Sequence, residues 1–498
     1  MQTSKENSYK DIFKATSIFG GVQIINIFIL IIRSKFIAIF LGPAGMGVTA
    51  LLTSSTGFIS ALTHFGLGTS AVKNVAVAYG SGDETKLAQI IRVFRKLVWV
   101  TGMLGFVICL VLSPYLSDLA FGNKKYTVDF MLISVTLLLT QISDGQTVIL
   151  RGTRKVNYVA KSSMIGALIG LVVSAPTYYF WGEAGIAPVI VITAVLTLVA
   201  TWYYSKKVIV PKVQIDKGVL YNESKDMLKM GFLISLSGLI SLGTSYLMRI
   251  FISNHGSVAD VGLYNAGFSI IGTYVGLVFT AMSTDYYPRL AAVSNDNNKC
   301  KDEINQQAEV ALLILAPILI VFLVFINFGI ILLYSKQFAT ITSMVQWAAL
   351  GIFFKSTSWA IGIIFISKGE SKMFFWNELI ANIYILFLNI AGYYYGGLTG
   401  LGISFLIGYV LHVIQMYFVT RKFYGFSFDN AFVKIFAVQF FLAILCFLVV
   451  YFLKASLVYS LGSVIILLSI AFSWKEMNNR VNLNIFFKNF YNQKLKGK

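Results

Sequence analysis

Four basic side chains lie inside long apolar runs: Arg33, Lys35, Arg249 and Lys355. The chemistry open to such groups is anion capture. A guanidinium offers a planar fork that takes two oxygens of a phosphate or carboxylate at once. A charge at mid-bilayer costs about 2.5–3.5 kcal/mol on insertion scales, so it either faces a bundle interior or aqueous cavity, snorkels to an interface, or pairs with an acid. Acids are scarce nearby. Asp144 lies in "TQISDGQT" (140–147), where Gln141, Ser143 and Gln146 make a polar stretch that reads as a wet cavity wall. His64 and His412 are groups that could titrate, or hydrogen-bonded packing residues. Asp285, Glu309 and Glu378 fall near the ends of apolar runs and read as ordinary interface residues.

The elements that must carry these groups follow from composition. Of 498 residues, 57% are hydrophobic and 12% charged, with a mean hydropathy of +0.76. Soluble chains carry about 25% charged residues. Apolar stretches near the roughly 20 residues of a spanning helix recur from end to end. The expected fold is an all-α polytopic membrane protein with about fourteen transmembrane helices: 17–41, 45–68, 94–118, 128–150, 158–180, 184–205, 230–254, 259–288, 308–334, 340–367, 372–395, 398–420, 431–453 and 455–473. Twelve is the fallback, because "VYFLKASLVYS" separates the last two only thinly. The long first run is expected to stay as a helix and not to be cleaved as a signal.

Loop charge orients these helices. With the N-terminus in the cytoplasm, only Lys124, Lys125, Lys336 and Lys454 of the 40 basic residues fall in outer loops, and four more lie inside spans. The net charge of +19 is therefore a topology signal, and no basic face for nucleic acid is expected. The even span number before the polar loop 206–228 implies a parallel repeat about the membrane normal. The expected organisation is an N-lobe at 1–205, a cytoplasmic linker at 206–228, a C-lobe at 229–423, and two terminal helices with a basic cytoplasmic tail at 424–498. Arg33 followed by Gly47 in the first half is echoed by Arg249 followed by Gly262 in the second.

Counted from residue 17, Arg33 sits about 24 Å along its helix, and Lys35 about 3 Å further and about 200° around it. One of the pair is expected to face the interior, and Lys35 is the better snorkeller. Lys355, within "FFKSTSWA", reads equally as packing or as function. No GxxxxGK[ST] loop, HExxH pair or GxSxG elbow is present, so no enzyme and no ATP hydrolysis is expected. Cys109, Cys300 and Cys446 have no metal-ligand spacing.

The segments "SKFIAIFLGPAGMG" (34–47) and "STGFISALTHFGLGTSAVKNVA" (55–76) resemble the start of O-antigen flippases. A second block, "RIFISNHGSVADVGLYNAGFSIIGTYVGLVFTAMSTDYYPRLAAV" (249–293), is similar to that family's middle segment. These flippases belong to the multidrug/oligosaccharidyl-lipid/polysaccharide exporter superfamily. The resemblance implies two pseudo-symmetric six-helix lobes around a central cavity and a polyprenyl-pyrophosphate-linked glycan as substrate. It maps the cavity cations onto Arg33, Lys35 and Arg249. Lys355, Asp144, His64 and Gln141 are further cavity candidates read from the residues alone. The implied protein is a monomer of a bacterial inner membrane, with both termini cytoplasmic and with membrane lipids as surroundings. It uses no cofactor. H+ or Na+ is left open as a coupling ion, and a polysaccharide polymerase or glycosyltransferases are its plausible protein partners. The competing functions are a multidrug cation exporter of the same superfamily, disfavoured by a cavity richer in bases than acids, and a membrane glycan polymerase or ligase, disfavoured by short outer loops.

Overall fold

The computed structural model describes residue 22 and residues 25–208 and 217–481. The start of the first expected span, residues 209–216 of the linker and the tail beyond 481 lie outside them. Among the described residues all regular structure is helical. Hydrocarbon offers a backbone no hydrogen-bond partner, so a spanning segment must satisfy its own amides, and the helix does so within one segment.

In chain order, α1 (25–40), α2 (Gly42–Thr63), α3 (Leu67–Gly80), α4 (Glu84–Phe121), α5 (Thr127–Gly152), α6 (Val156–Trp181) and α7 (Ile186–Ser205) precede the linker. After it come α8 (Lys217–His255), α9 (Val258–Ser269) and α10 (Gly276–Ala292), the last two joined by a π-helical turn at Ile270–Val275. The chain continues through α11 (Asn297–Leu333), α12 (Thr342–Ser367), α13 (Ser371–Tyr424), α14 (Asn430–Phe452) and α15 (Ala455–Val481). Nine stretches among the described residues are long and apolar enough to cross a membrane. Two of the nine each hold two expected spans. Val156–Ser205 contains α6 and α7, and α13 breaks at Gly397, whose φ of 55° and ψ of −140° no helix accommodates. The chain doubles back at that glycine. A Cβ on Gly392 would lie 2.6 Å from the Gly400 carbonyl oxygen, Ser404 Oγ donates to Asn389 Oδ1 at 2.7 Å, and Gln415 Nε2 donates to Asn377 Oδ1 at 2.9 Å.

Two expected boundaries are corrected. The span expected at 45–68 ends at Thr63, because Phe65 and Gly66 take positive φ of 48° and 58° and start a new helix. That break was hidden in "FGLG", which carries no charge. In α3 the buried Leu67, Ala71, Val75 and Ala78 recur at helical spacing, with Lys73 on the exposed side. The span expected from 94 begins ten residues earlier as a helix, capped by Asp83, whose carboxylate accepts from the Lys86 amide at 2.9 Å. At 38 residues α4 is about 57 Å long. Its first turns, with Arg92, Arg95 and Lys96, therefore exceed a hydrocarbon layer of about 30 Å.

By contacts the chain forms two compact units, 1–262 with 333–335, and 263–332 with 336–498. The sequence leads to the expectation of a linker at 206–228 with the next helix in the second lobe; α8 begins at Lys217, inside that expected linker, and lies against α2, α3 and α4. Tyr246 of α8 stacks on Phe58 of α2 at 5.5 Å, and Asn254 donates to the Leu119 carbonyl at 3.0 Å. Glycines allow the closest approaches. A Cβ on Gly231 would sit 2.2 Å from the Phe65 oxygen, one on Gly47 1.8 Å from the Val258 oxygen, and one on Gly262 1.9 Å from the Pro43 oxygen. The segments "LGPAGMG" and "VGLYNA" thus meet backbone to backbone. Beneath them, α3, α4 and α5 share a core of Leu67, Val75, Ile91, Phe94 and Ile149 that reaches Met227 of α8.

In the second unit α12 packs along α13, and the fully buried Tyr286 donates to the Ala360 carbonyl at 2.7 Å. Arg480 of α15 donates to Glu309 of α11 at 2.7 Å and to Glu476 at 2.7 Å, while Lys434 of α14 reaches Glu476 at 3.0 Å. Glu309 is thereby an ion-pair partner and not a plain interface acid. Replacing Gly47 or Gly231 by alanine is expected to cost about 1–3 kcal/mol through overpacking. Gly68→Ala, with no atom within 4 Å of its new methyl, should be neutral. Thermal melts of detergent-solubilised protein measure both, and equal midpoints for the three variants would contradict these backbone contacts.

Candidate functional site

α1 runs along α6 in the same direction. Asn26 donates to Ser163 at 3.0 Å, a Cβ on Gly170 would lie 3.6 Å from Arg33 Nη1, and Phe40 packs edge-on to Tyr179 at 5.7 Å. The first two contacts share one offset of 137 residues and are seven residues apart, as in a parallel heptad seam. This register fixes Arg33 on the side of α1 that meets α6, over the bare backbone of Gly170 and beside the buried Tyr178 hydroxyl. Its Nε is buried and meets no hydrogen-bond partner among the described residues.

Arg33 opens onto a cleft of about 410 Å³ walled by α1, α2, α5 and α7. Hydroxyls dominate its polar lining: Thr53, Thr56 and Ser60 from α2, Thr136, Thr140 and Ser143 from α5, and Thr193 and Thr197 from α7. Several of these donate to their own helix, Thr53 to Thr49 at 2.6 Å, Thr56 to Leu52 at 3.0 Å and Thr140 to Thr136 at 2.6 Å. That satisfies each O–H inside an apolar bundle and leaves the oxygen lone pairs as acceptors. Asp144 stands on the same wall with its side chain exposed to the cleft. Among the described residues no ion pair joins it to Arg33. The arrangement can hold an anion at the guanidinium and hydroxylated groups along the wall.

The other expected residues fall elsewhere. Gln141 is corrected as a cavity residue: it is 5% exposed, and its amide donates to Thr101 of α4 at 2.8 Å. The polar stretch 140–147 divides because neighbouring helix positions point about 100° apart. Gln141 serves the α4 contact, Gln146 accepts from Ser205 of α7 at 2.5 Å, and Thr140, Ser143 and Asp144 serve the cleft. His64, just past the end of α2, approaches the cleft residue Ser60 at 3.1 Å without lining the cleft itself. Lys35 and Arg249 do not line it either; Arg249 Nη1 donates to the Ser245 carbonyl at 3.3 Å.

Lys355 lies in a different cleft, of about 620 Å³, within the second unit. Its Nζ stands 5.4 Å from the Tyr409 ring centre. Glu378 and His412 line this cleft too, from the two legs of the α13 hairpin. From the sequence Glu378 reads as an ordinary interface acid near the end of an apolar run, and His412 as a group that could titrate or a hydrogen-bonded packing residue. The signal that could have joined them was the "GG" at 396–397, about which the two positions fold back onto similar levels.

Cysteine substitution tests the first cleft. Thr140→Cys and Asp144→Cys should react with a water-soluble maleimide in membranes, and Gln141→Cys should resist it. The three native cysteines are buried, which keeps the background low. Labelling of Gln141→Cys at the same rate would overturn the assignment of the wall.

Comparison with known proteins gives the family. Residues 36–343 match the model of a family described as "Polysaccharide biosynthesis protein". The protein named lipid III flippase from Escherichia coli (strain K12) is 21% identical over 351 residues, covering 69% of this chain and 82% of that one, and its Shigella flexneri counterpart matches equally. Among solved structures, the lipid II flippase MurJ in an inward closed conformation superposes with a TM-score of 0.71 at 13% identity, covering 93% of this chain and 98% of that one. An inward-facing multidrug resistance MATE transporter of the MOP superfamily gives 0.67 at 15% identity, covering 82% and 96%. At these identities the structures speak for the fold, which is the polytopic helical fold expected from the sequence. Because the family match spans more than half of its length, this membrane protein belongs to the polysaccharide biosynthesis protein family.

Proposed function

We propose that the protein is a flippase for polyprenyl-pyrophosphate-linked oligosaccharide repeat units, of O-antigen or a related surface polysaccharide. It would carry them from the cytoplasmic to the periplasmic leaflet of a bacterial inner membrane by alternating access. The observation that carries this reading is Arg33: a guanidinium with a buried, unpartnered Nε at the end of a wall of hydroxyls. A buried donor without a partner is costly, so it marks a place kept for an anion. The pyrophosphate supplies oxygens for the guanidinium, the glycan supplies hydroxyls for the threonine wall, and the polyprenyl tail stays in lipid. Lys35 and Arg249, outside this cleft, are kept in this reading as cations that the pyrophosphate meets elsewhere in the transport cycle. The similarity to a protein named lipid III flippase supports the substrate class. No step requires a cofactor, and the protein is taken to act as a monomer alongside polymerase or glycosyltransferase partners.

A second reading is a cation exporter. It is favoured by an acid in each cleft, Asp144 in one and Glu378 in the other, and by the fold shared with a MATE transporter. One experiment separates the two. A strain lacking the protein is complemented with wild type, Arg33→Ala, Arg33→Lys or Asp144→Asn at matched abundance, and surface glycan and internal lipid-linked units are measured. Under the flippase reading, Arg33→Ala loses surface glycan about 10- to 100-fold, as loss of a charge-assisted hydrogen bond to a desolvated anion implies. Lipid-linked units accumulate inside, and Arg33→Lys is partly active. Normal glycan in every variant, with drug sensitivity in Asp144→Asn, favours the exporter. A deletion strain with normal glycan and no accumulation rejects the flippase.

A further inference from the structure

We infer that the cleft of the second unit is a carbohydrate subsite that holds one or two pyranose rings of the transported glycan, with Tyr409 and Trp359 as stacking faces and Lys355, Glu378 and His412 as hydrogen-bonding groups. This rests on the flippase reading for the identity of the glycan, but not for the binding itself.

Two observations carry it independently. The first is His412. It is 9% exposed, it lines the cleft, and neither ring nitrogen has a hydrogen-bond partner among the described residues. One imidazole nitrogen donates and the other accepts when the ring is neutral, so two opposite requirements are left open at one buried place. A sugar hydroxyl both donates and accepts, and adjacent ring hydroxyls meet both needs. The second is the character of the wall. The lining pairs aromatic rings with a few polar groups, which is the general pattern of a small-molecule site. Trp359 is braced by Phe279 at 5.2 Å and Tyr286 at 5.7 Å, so its ring is held in place and not free to turn into solvent. A pyranose has an apolar C–H face that stacks on such a ring and a polar edge that reaches past it. The cleft of about 620 Å³ lies within the roughly 300–1,000 Å³ of ligand pockets.

The remaining groups fit the same ligand. Lys355 Nζ is 5.4 Å from the Tyr409 centre and 5.9 Å from that of Phe405, a cation held against ring faces. Glu378 supplies an acceptor from the opposite leg of the α13 hairpin. A lone organic cation would meet the like charge of Lys355, and an aliphatic chain would leave Glu378 and His412 without partners. A sugar uses all three.

The test is binding, measured apart from transport. Protein in lipid nanodiscs is examined by saturation-transfer NMR against methyl glycosides of glucose, galactose, mannose, rhamnose, N-acetylglucosamine, N-acetylgalactosamine and glucuronic acid, with inorganic pyrophosphate and dodecane as competitors. At least one glycoside is expected to bind saturably to wild type, with no competition from pyrophosphate or dodecane. His412→Phe keeps the volume, removes both unpaired nitrogens, and should melt no lower than wild type while binding about tenfold more weakly. Glu378→Gln should weaken binding as well. Absence of saturable binding to all seven glycosides, equal binding by His412→Phe, or displacement by dodecane overturns the subsite. Displacement by pyrophosphate would instead move the sugar to the first cleft and overturn the subsite too. The flippase reading fails separately, on the glycan accumulation of the deletion strain.

Discussion

In hydrocarbon, no water is available to take a hydrogen bond that the protein leaves open. Most of what this molecule does with its polar groups follows from that single constraint. Backbone amides close within helices. Hydroxyls on the cleft wall donate back to carbonyls one turn earlier, as Thr53, Thr56 and Thr140 do. Amides find partners across helix contacts, Gln141 with Thr101, Gln415 with Asn377, and Gln439 with Ser469 and Ser473 deep between α14 and α15. Against this background the buried polar atoms that lack partners among the described residues stand out. Arg33 Nε and both nitrogens of His412 are among them, and each opens onto a cleft.

Close helix packing is the second consequence. Lipid tails are as apolar as leucine, so helices gain little by burying apolar surface against one another and depend on contact at short range. Glycine supplies that range. Gly47, Gly231 and Gly262 bring α2, α8 and the start of α9 so near that a methyl group would strike a carbonyl oxygen, and Gly392 with Gly400 does the same inside the α13 hairpin. The motifs that mark the chain's family resemblance are thus partly packing motifs. "LGPAGMG" and "VGLYNA" lie against each other through their glycines, and the cation on each preceding helix is carried on a frame that these contacts hold.

The two clefts differ in chemistry. The first is walled by small hydroxylated side chains around an arginine, suited to oxygen-rich anions and to hydroxyls that slide past. The second is walled by aromatic rings around a lysine, a glutamate and a histidine, suited to holding a ring in one orientation. Arg33 is the better anion receiver because its fork is pre-organised; Lys355, a point charge against two rings, is the better partner for a single oxygen.

Composition and the spacing of charge were enough to give the class of molecule, since 12% charged residues cannot clothe a soluble protein of this size and apolar runs of bilayer length have one use. They also marked Arg33, Lys35, Asp144, Arg249 and Lys355 as candidates, because a charge in such a run is costly; of these, Arg33, Asp144 and Lys355 line clefts. The boundary at Phe65–Gly66 was not legible, since a positive φ leaves no hydropathy signal. Nor was the split among Gln141, Asp144 and Gln146, which share one polar stretch but point at three different neighbours. Helix rotation decides that, and rotation is set by packing against partners distant in sequence, as the seam of α1 along α6 sets it for Arg33. The pairing of Glu378 with His412 needed the hairpin at Gly397 to bring them together. A sequence records which residues are costly in a membrane; only the tertiary structure determines which of them face a cleft, because that depends on the angle at which each helix is held.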